Sequence, residues 1–185
     1  MLMRRARVDM IKQGMGIRFF ENLSEEEKIA AMKYNGYEIS QLKNPSEAIQ
    51  LAAVRQAGQA ICHIENPSEE VKLAAVKQDG KAIKHFKNTN RVFLSEEIQL
   101  AAVQQNGMAI KYIKNPSLKI QMAAVNQDVY SLEVIDNPWL EVQLFAVQKN
   151  PKYIALIKFP YREVQQFVVD MNPNYIRYIK NPGKV

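Results

Sequence analysis

Alanine pairs stand at 52–53, 74–75, 101–102 and 123–124, and glycines at 36, 58, 80 and 107 keep step with them. Asn-Pro steps at 44, 66, 115, 137 and 181 follow the same beat, which is 22 residues almost everywhere. A fixed period of this size belongs to repeat architectures, in which one unit cannot bury its apolar side alone and must stack on the next. The expectation is an all-α fold, an α-solenoid of about seven two-helix repeats, forming one domain over residues 1–185.

The stretch 66–88, NPSEEVKLAAVKQDGKAIKHFKN, shows how one repeat is built. Ser68 follows Pro67 and suits the N-cap of a helix, and Glu69 and Glu70 fall where the helix dipole favours negative charge. Val71, Ala74 and Ala75 share one face at i, i+3 and i+4, while Leu73 and Val76 lie opposite. A helix apolar on two sides is sandwiched between neighbours, and the alanine pair lets the next helix approach. Gly80 is expected to end this helix in the left-handed conformation common just past a helix C-terminus. A second helix of about two turns, Lys81 to Lys87, turns Ala82, Ile83 and Phe86 inward. Asn88 suits a C-cap, and elsewhere the following proline stops the helix.

Residues 1–23 form a half repeat, with Gly14, Ile17 and Phe20 in register behind a basic arm of Arg4, Arg5 and Arg7. Regular repeats fill 24–138 and begin at Ser24, Ser46, Ser68, Ser95 and Ser117. One insertion, at 89–94, breaks the period. Residues 139–185 are divergent capping repeats, in which Trp139 and Tyr161 replace the capping serine and Pro151 and Pro173 replace the glycine. Phe145, Tyr153, Phe159, Phe167 and Tyr175 thicken this end and read as closure of the core, since solenoid ends must be sealed.

The net charge is +6, concentrated in three basic blocks, 1–23, 68–94 and 139–185, with acidic repeats between them. No apolar run reaches the ~18 residues needed to cross a membrane. The N-terminus lacks the apolar segment of a secretory signal, and the single cysteine, Cys62, excludes an internal disulfide framework. A cytoplasmic, reducing setting is expected. Two positions form polar rows along the array: one at Lys72, mostly glutamine elsewhere, and one at Lys87, always charged. Both read as solvated faces.

The pattern [VI]-x-L-A-A-V-x-x-x-G-x-A-[IL], close over 46–113 and looser elsewhere, is similar to an uncharacterised helical repeat family. That family is a domain of unknown function found in bacteria, phages and large DNA viruses. It contains no catalytic residue to carry over. The chain also resembles the HEAT-like α-solenoids, a class whose commonest role is protein binding. The resemblance implies a phage- or virus-type protein that engages or inhibits a host protein.

Cys62, His63 and His85 are the strongest set for chemistry, but zinc needs three or four convergent ligands, and other repeats hold unrelated residues at the histidine position. No nucleophile setting and no phosphate-cradling loop appears. The reading is not an enzyme, with no metal, no cofactor and no small-molecule substrate. The expected role is a non-enzymatic protein-binding scaffold, with nucleic-acid binding through lysine rows as the alternative. The expected partner is a protein with an acidic surface, and no membrane is involved. The expected contact site is the insertion and its flanks: Arg91 and Phe93 in the loop, beside Lys84, Lys87, Lys111 and Lys114, which stacking would align into one four-lysine patch.

Overall fold

The 22-residue period becomes a chain of helix pairs. A computed structural model describes residues 2–86 and 94–180, and its regular elements are all helical, with no strand among the described residues. The α-helices are α1 (Leu2–Lys12), α2 (Glu25–Tyr34), α3 (Glu47–Gln56), α4 (Glu69–Gln78), α5 (Glu96–Gln105), α6 (Leu118–Gln127), α7 (Leu140–Lys149) and α8 (Arg162–Met171). From α2 onward each is followed by a six-residue 3-10 helix, as in Gly36–Gln41 after α2 and Gly80–His85 after α4. This is the α-solenoid plan. By contact the chain divides into two compact units, Met1–Gln105 and Asn106–Val185, each a stack of such pairs. No helix among the described residues is long and apolar enough to cross a membrane.

The caps explain where each α-helix begins. Ser24, Ser46, Ser68 and Ser117 accept the backbone N–H three residues on, and Ser95 does the same for Ile98. At Ser24 the Glu27 carboxylate returns the contact to the Ser24 N–H at 2.8 Å, a full capping box. Ser46 and Ser68 also donate their hydroxyls to Glu25 and Glu47 of the preceding helix. The same serine therefore starts one helix and ties it to the last.

The second element differs from the expected α-helix. Six residues leave little room for i→i+4 bonds, and the tighter i→i+3 pattern satisfies more of the backbone. Its start is set by a residue the repeat pattern did not single out. Asn35, Asp79, Asn106, Asp128, Asn150 and Asn172 each accept the N–H two residues on with a side-chain oxygen. The basic arm also differs: Arg4, Arg5 and Arg7 lie within α1.

Glycine was expected to supply a left-handed turn, and among the described residues only Gly14 does so, at φ 93° just past α1. The repeat glycines serve a close approach instead. A Cβ on Gly36 would lie 2.3 Å from the Ala53 carbonyl oxygen, and one on Gly58 would lie 2.4 Å from that of Ala75. Their N–H groups donate to a glutamine of the next repeat: Gly36 to Gln56, Gly58 to Gln78, Gly80 to Gln105 and, in the second unit, Gly107 to Gln127, at 2.6–2.8 Å. The left-handed backbone sits at Asn22, Asn44, Asn66 and Asn115, with φ of 48–52°.

The core is aliphatic. Val71, Ala75 and Val76 of α4 are fully buried, and Ala82 and Ile83 meet them from the following 3-10 helix. Phe86 is only half-buried. No aromatic side chain among the described residues is in the buried core, which corrects the reading of the aromatic C-terminal end. Phe145, Tyr153, Phe167 and Tyr175 are half-buried, and Phe159 is exposed. Aliphatic side chains close the core there, with Ile154, Ile157, Val164 and Val168 at 0% exposure.

Candidate functional site

Of the six expected contact residues, three lie within the described residues and three outside them. Lys87, Arg91 and Phe93, with most of the insertion at 89–94, lie outside the described residues. Lys84 is exposed in the first unit, on the 3-10 helix Gly80–His85. Lys111 and Lys114 are exposed in the second unit and line the same cleft.

That cleft has a volume of about 730 Å³ and is built from consecutive turns of the second unit. One wall carries Lys111 and Lys114, three residues apart at the end of the 3-10 helix Gly107–Tyr112. Another carries Asp136, which occupies the position of Lys114 one repeat later. Ile113 and Ile135, almost fully buried, contribute the aliphatic floor. Trp139 and Tyr161 complete it, with 52% and 49% of their surfaces exposed. Lys111 holds its ammonium 4.9 Å from the centre of the Tyr112 ring. Among the described residues neither lysine forms an ion pair, and neither does Asp136.

Trp139 and Tyr161 stand at N-caps, where an indole or phenol cannot do what serine does, and neither side chain caps its helix. The donors that a serine would take, the Val142 and Val164 N–H groups, bond to the Trp139 and Tyr161 carbonyls instead, and the glutamine row holds the cap residues themselves. Gln121 accepts the Trp139 N–H at 3.1 Å and donates to the Pro116 carbonyl at 3.3 Å. Gln143 accepts the Tyr161 N–H at 3.0 Å and donates to the Pro138 carbonyl at 2.9 Å. Both amides are buried, so this row is an internal clamp rather than the solvated face expected of it. The charged row is solvated as expected: Glu21, Lys43, Glu65, Lys114, Asp136, Lys158 and Lys180 are all exposed. Asn137 and Phe159, at the position of the left-handed asparagines, are not left-handed, which fits the steric cost of that conformation for a phenylalanine. The turns before α7 and α8 therefore differ from those before α3, α4 and α6.

The cysteine and histidines are each accounted for locally. The His63 ring meets the Tyr37 ring edge-on, with centroids 6.3 Å apart. His85 donates from Nε2 to the Gln59 side-chain oxygen at 2.8 Å, and Gln59 donates to Asp79 at 2.6 Å. Burial, and next the Lys84 ammonium, push the His85 imidazole below its usual 6.5 against the opposing pull of Asp79. Cys62 is exposed, and no three His, Cys, Asp or Glu side chains converge among the described residues.

Trp139 and Tyr161 are noted in the sequence as replacements of the capping serine but not as site residues. The signal was present: two successive repeats abandon a cap that five others keep. Compared with known protein families, curated protein sequences and solved structures, the chain has no match.

Proposed function

We propose that this protein is a non-enzymatic repeat scaffold that binds another protein through an acidic surface of that partner. The observation that carries the reading is Lys111 and Lys114, exposed on one cleft wall with no ion pair among the described residues. Positive groups left unmatched beside apolar surface favour a partner that brings the opposite charge. The residues that recur most strictly support it too: serine, glycine, glutamine and alanine hold repeat to repeat, which leaves the variable side chains free for recognition. The resemblance to repeats of phages and large DNA viruses makes a host protein the proposed partner, held or inhibited by the array in the cytoplasm.

Capture from a bacterial lysate, with and without nuclease, tests the reading. A partner should be retained after nuclease treatment and lost from the Lys111→Glu, Lys114→Glu double variant, with Lys84→Glu as a separate probe of the first unit. Capture that disappears with nuclease replaces this reading with nucleic-acid binding.

A further inference from the structure

Among the described residues, five of the seven repeat α-helices start at a serine cap, and the two exceptions are Trp139 and Tyr161. At an N-cap, serine satisfies a backbone donor with its side chain, whereas at Trp139 and Tyr161 the same donors, the Val142 and Val164 N–H groups, turn to the cap carbonyls at 3.0 and 3.1 Å. Each substitution gives up that bond and leaves about half of a large ring in water. The core gains little, because it is closed by aliphatic side chains. Departures of this kind, with no return in packing, are expected at functional positions.

The backbone that carries the two rings is also fixed. Each one's backbone N–H is fixed by a buried glutamine that also donates to the carbonyl before the preceding helix. Such anchoring lowers the ordering cost of binding, and tryptophan and tyrosine are favoured anchors at protein interfaces. Both line the cleft with Lys111, Lys114 and the aliphatic floor of Ile113 and Ile135.

We infer that this cleft is a docking groove for an extended acidic segment of a partner protein, one in which glutamate or aspartate alternates with aliphatic side chains. The inference rests on the protein-binding reading and names the partner's chemistry. Charge complementarity selects the occupant. Lys111 and Lys114 take its carboxylates, the floor takes its aliphatic side chains, and the two rings clamp its backbone. Asp136 lines the same cleft and repels a phosphate and a carboxylate alike, so the aliphatic floor is what favours a segment carrying apolar side chains between its acids over a nucleic acid. A cleft of about 730 Å³ is of the size that holds a single ligand, ~300–1,000 Å³, and suits a short segment rather than a folded domain.

Trp139 is the only tryptophan of the chain, so its fluorescence reports on the groove directly. The probe is a capped ten-residue peptide of alternating Glu and Leu. A Lys-Leu peptide of the same length and oligouridylate serve as controls. The acidic peptide should shift and saturate the emission, and neither control should. Tyr161→Ser, which restores the residue most repeats carry, should weaken binding at least tenfold while leaving the melting temperature unchanged or raised. Lys111→Glu with Lys114→Glu should weaken it as much and bring in the Lys-Leu peptide. The inference is overturned by no response to the acidic peptide, by an equal response to both peptides, by a response to oligouridylate alone, or by a marked loss of melting temperature in Tyr161→Ser. If the Tyr161→Ser variant keeps a nuclease-resistant partner in the lysate experiment, the scaffold reading stands and the groove falls. If the wild type captures nothing and binds no peptide, both fall.

Discussion

The regular repeats of the first unit and the divergent repeats at the end of the second solve one problem, registering a helix pair on its neighbour, with different atoms. In the first unit the register is set where the α-helix ends. Gly36 and Gly58 allow close approach, and Gly36, Gly58 and Gly80 donate to Gln56, Gln78 and Gln105. Beyond Gly107 in the second unit, Val129, Pro151 and Pro173 stand at the glycine position, and proline has no N–H to donate. Lys149 and Met171 replace the glutamines that would have accepted. The register moves to the other end of the helix, where buried Gln121 and Gln143 hold Trp139 and Tyr161. Moving it there dispenses with serine caps and places aromatic rings at the surface.

The sharpest way to break this comparison is to exchange the residues. Gly58→Val, which copies Val129 into the first unit, drives a Cβ against the Ala75 carbonyl. It should cost about 3 kcal/mol or more, since overpacking a rigid contact is not relieved by a side-chain shift. Val129→Ala, at a half-buried site, should cost only about 1 kcal/mol. Denaturant unfolding followed by circular dichroism measures both, and equal costs would remove the distinction between the two registers.

Gln143→Leu should come next, at about 2 kcal/mol, because it strips partners from the Tyr161 N–H and the Pro138 carbonyl in a buried setting. Gln78→Leu should cost about 1 kcal/mol, since the residue is exposed, water can replace it at the Gln56 carbonyl, and the Gly58 N–H is the one inner partner lost. A Gln78 cost above that of Gln143 would reverse the assignment.

Ser131 offers a gain. It is fully buried, its hydroxyl has no hydrogen-bond partner among the described residues, and Ala60, Ala82 and Ala109 occupy its position elsewhere. Ser131→Ala should stabilise the protein by about 1 kcal/mol, seen as a higher melting temperature. A loss of stability would mean that the hydroxyl is satisfied in solution.

The smallest effect is that of His85. Its imidazole is held below 6.5 in the fold, so the unfolded chain binds the proton more readily. Stability from this group is complete above pH 6.5 and is lost as pH falls from there through the folded value. His85→Gln should flatten that acid-side slope, and an unchanged slope would locate the pH dependence elsewhere.

The helix pairs and their limits were legible because each depends on residues close in sequence. A serine caps the helix it precedes, and Val71 and Ala75 share a face by helical spacing alone. The glycine was seen but misread. Its position after a helix suggested a local turn, whereas its use depends on a carbonyl one repeat away. The glutamine row likewise looked like solvent-facing polarity, because a long polar side chain recurs equally well on a wet face and in a buried clamp. For Trp139 and Tyr161 the broken cap pattern was visible, and exposure alone could tell a surface anchor from a core seal.

Sequence by itself determined the period, the seven helix pairs, the serine caps and the single insertion, all consequences of short-range geometry repeated at fixed intervals. Tertiary structure decided which polar residues are buried, where adjacent repeats touch through backbone, and that the lysines 111 and 114 share a cleft with two aromatic rings. Those outcomes depend on packing between residues some twenty positions apart. Residue type fixes what a side chain can donate, accept or bury, and only the packed neighbour fixes which of these it does.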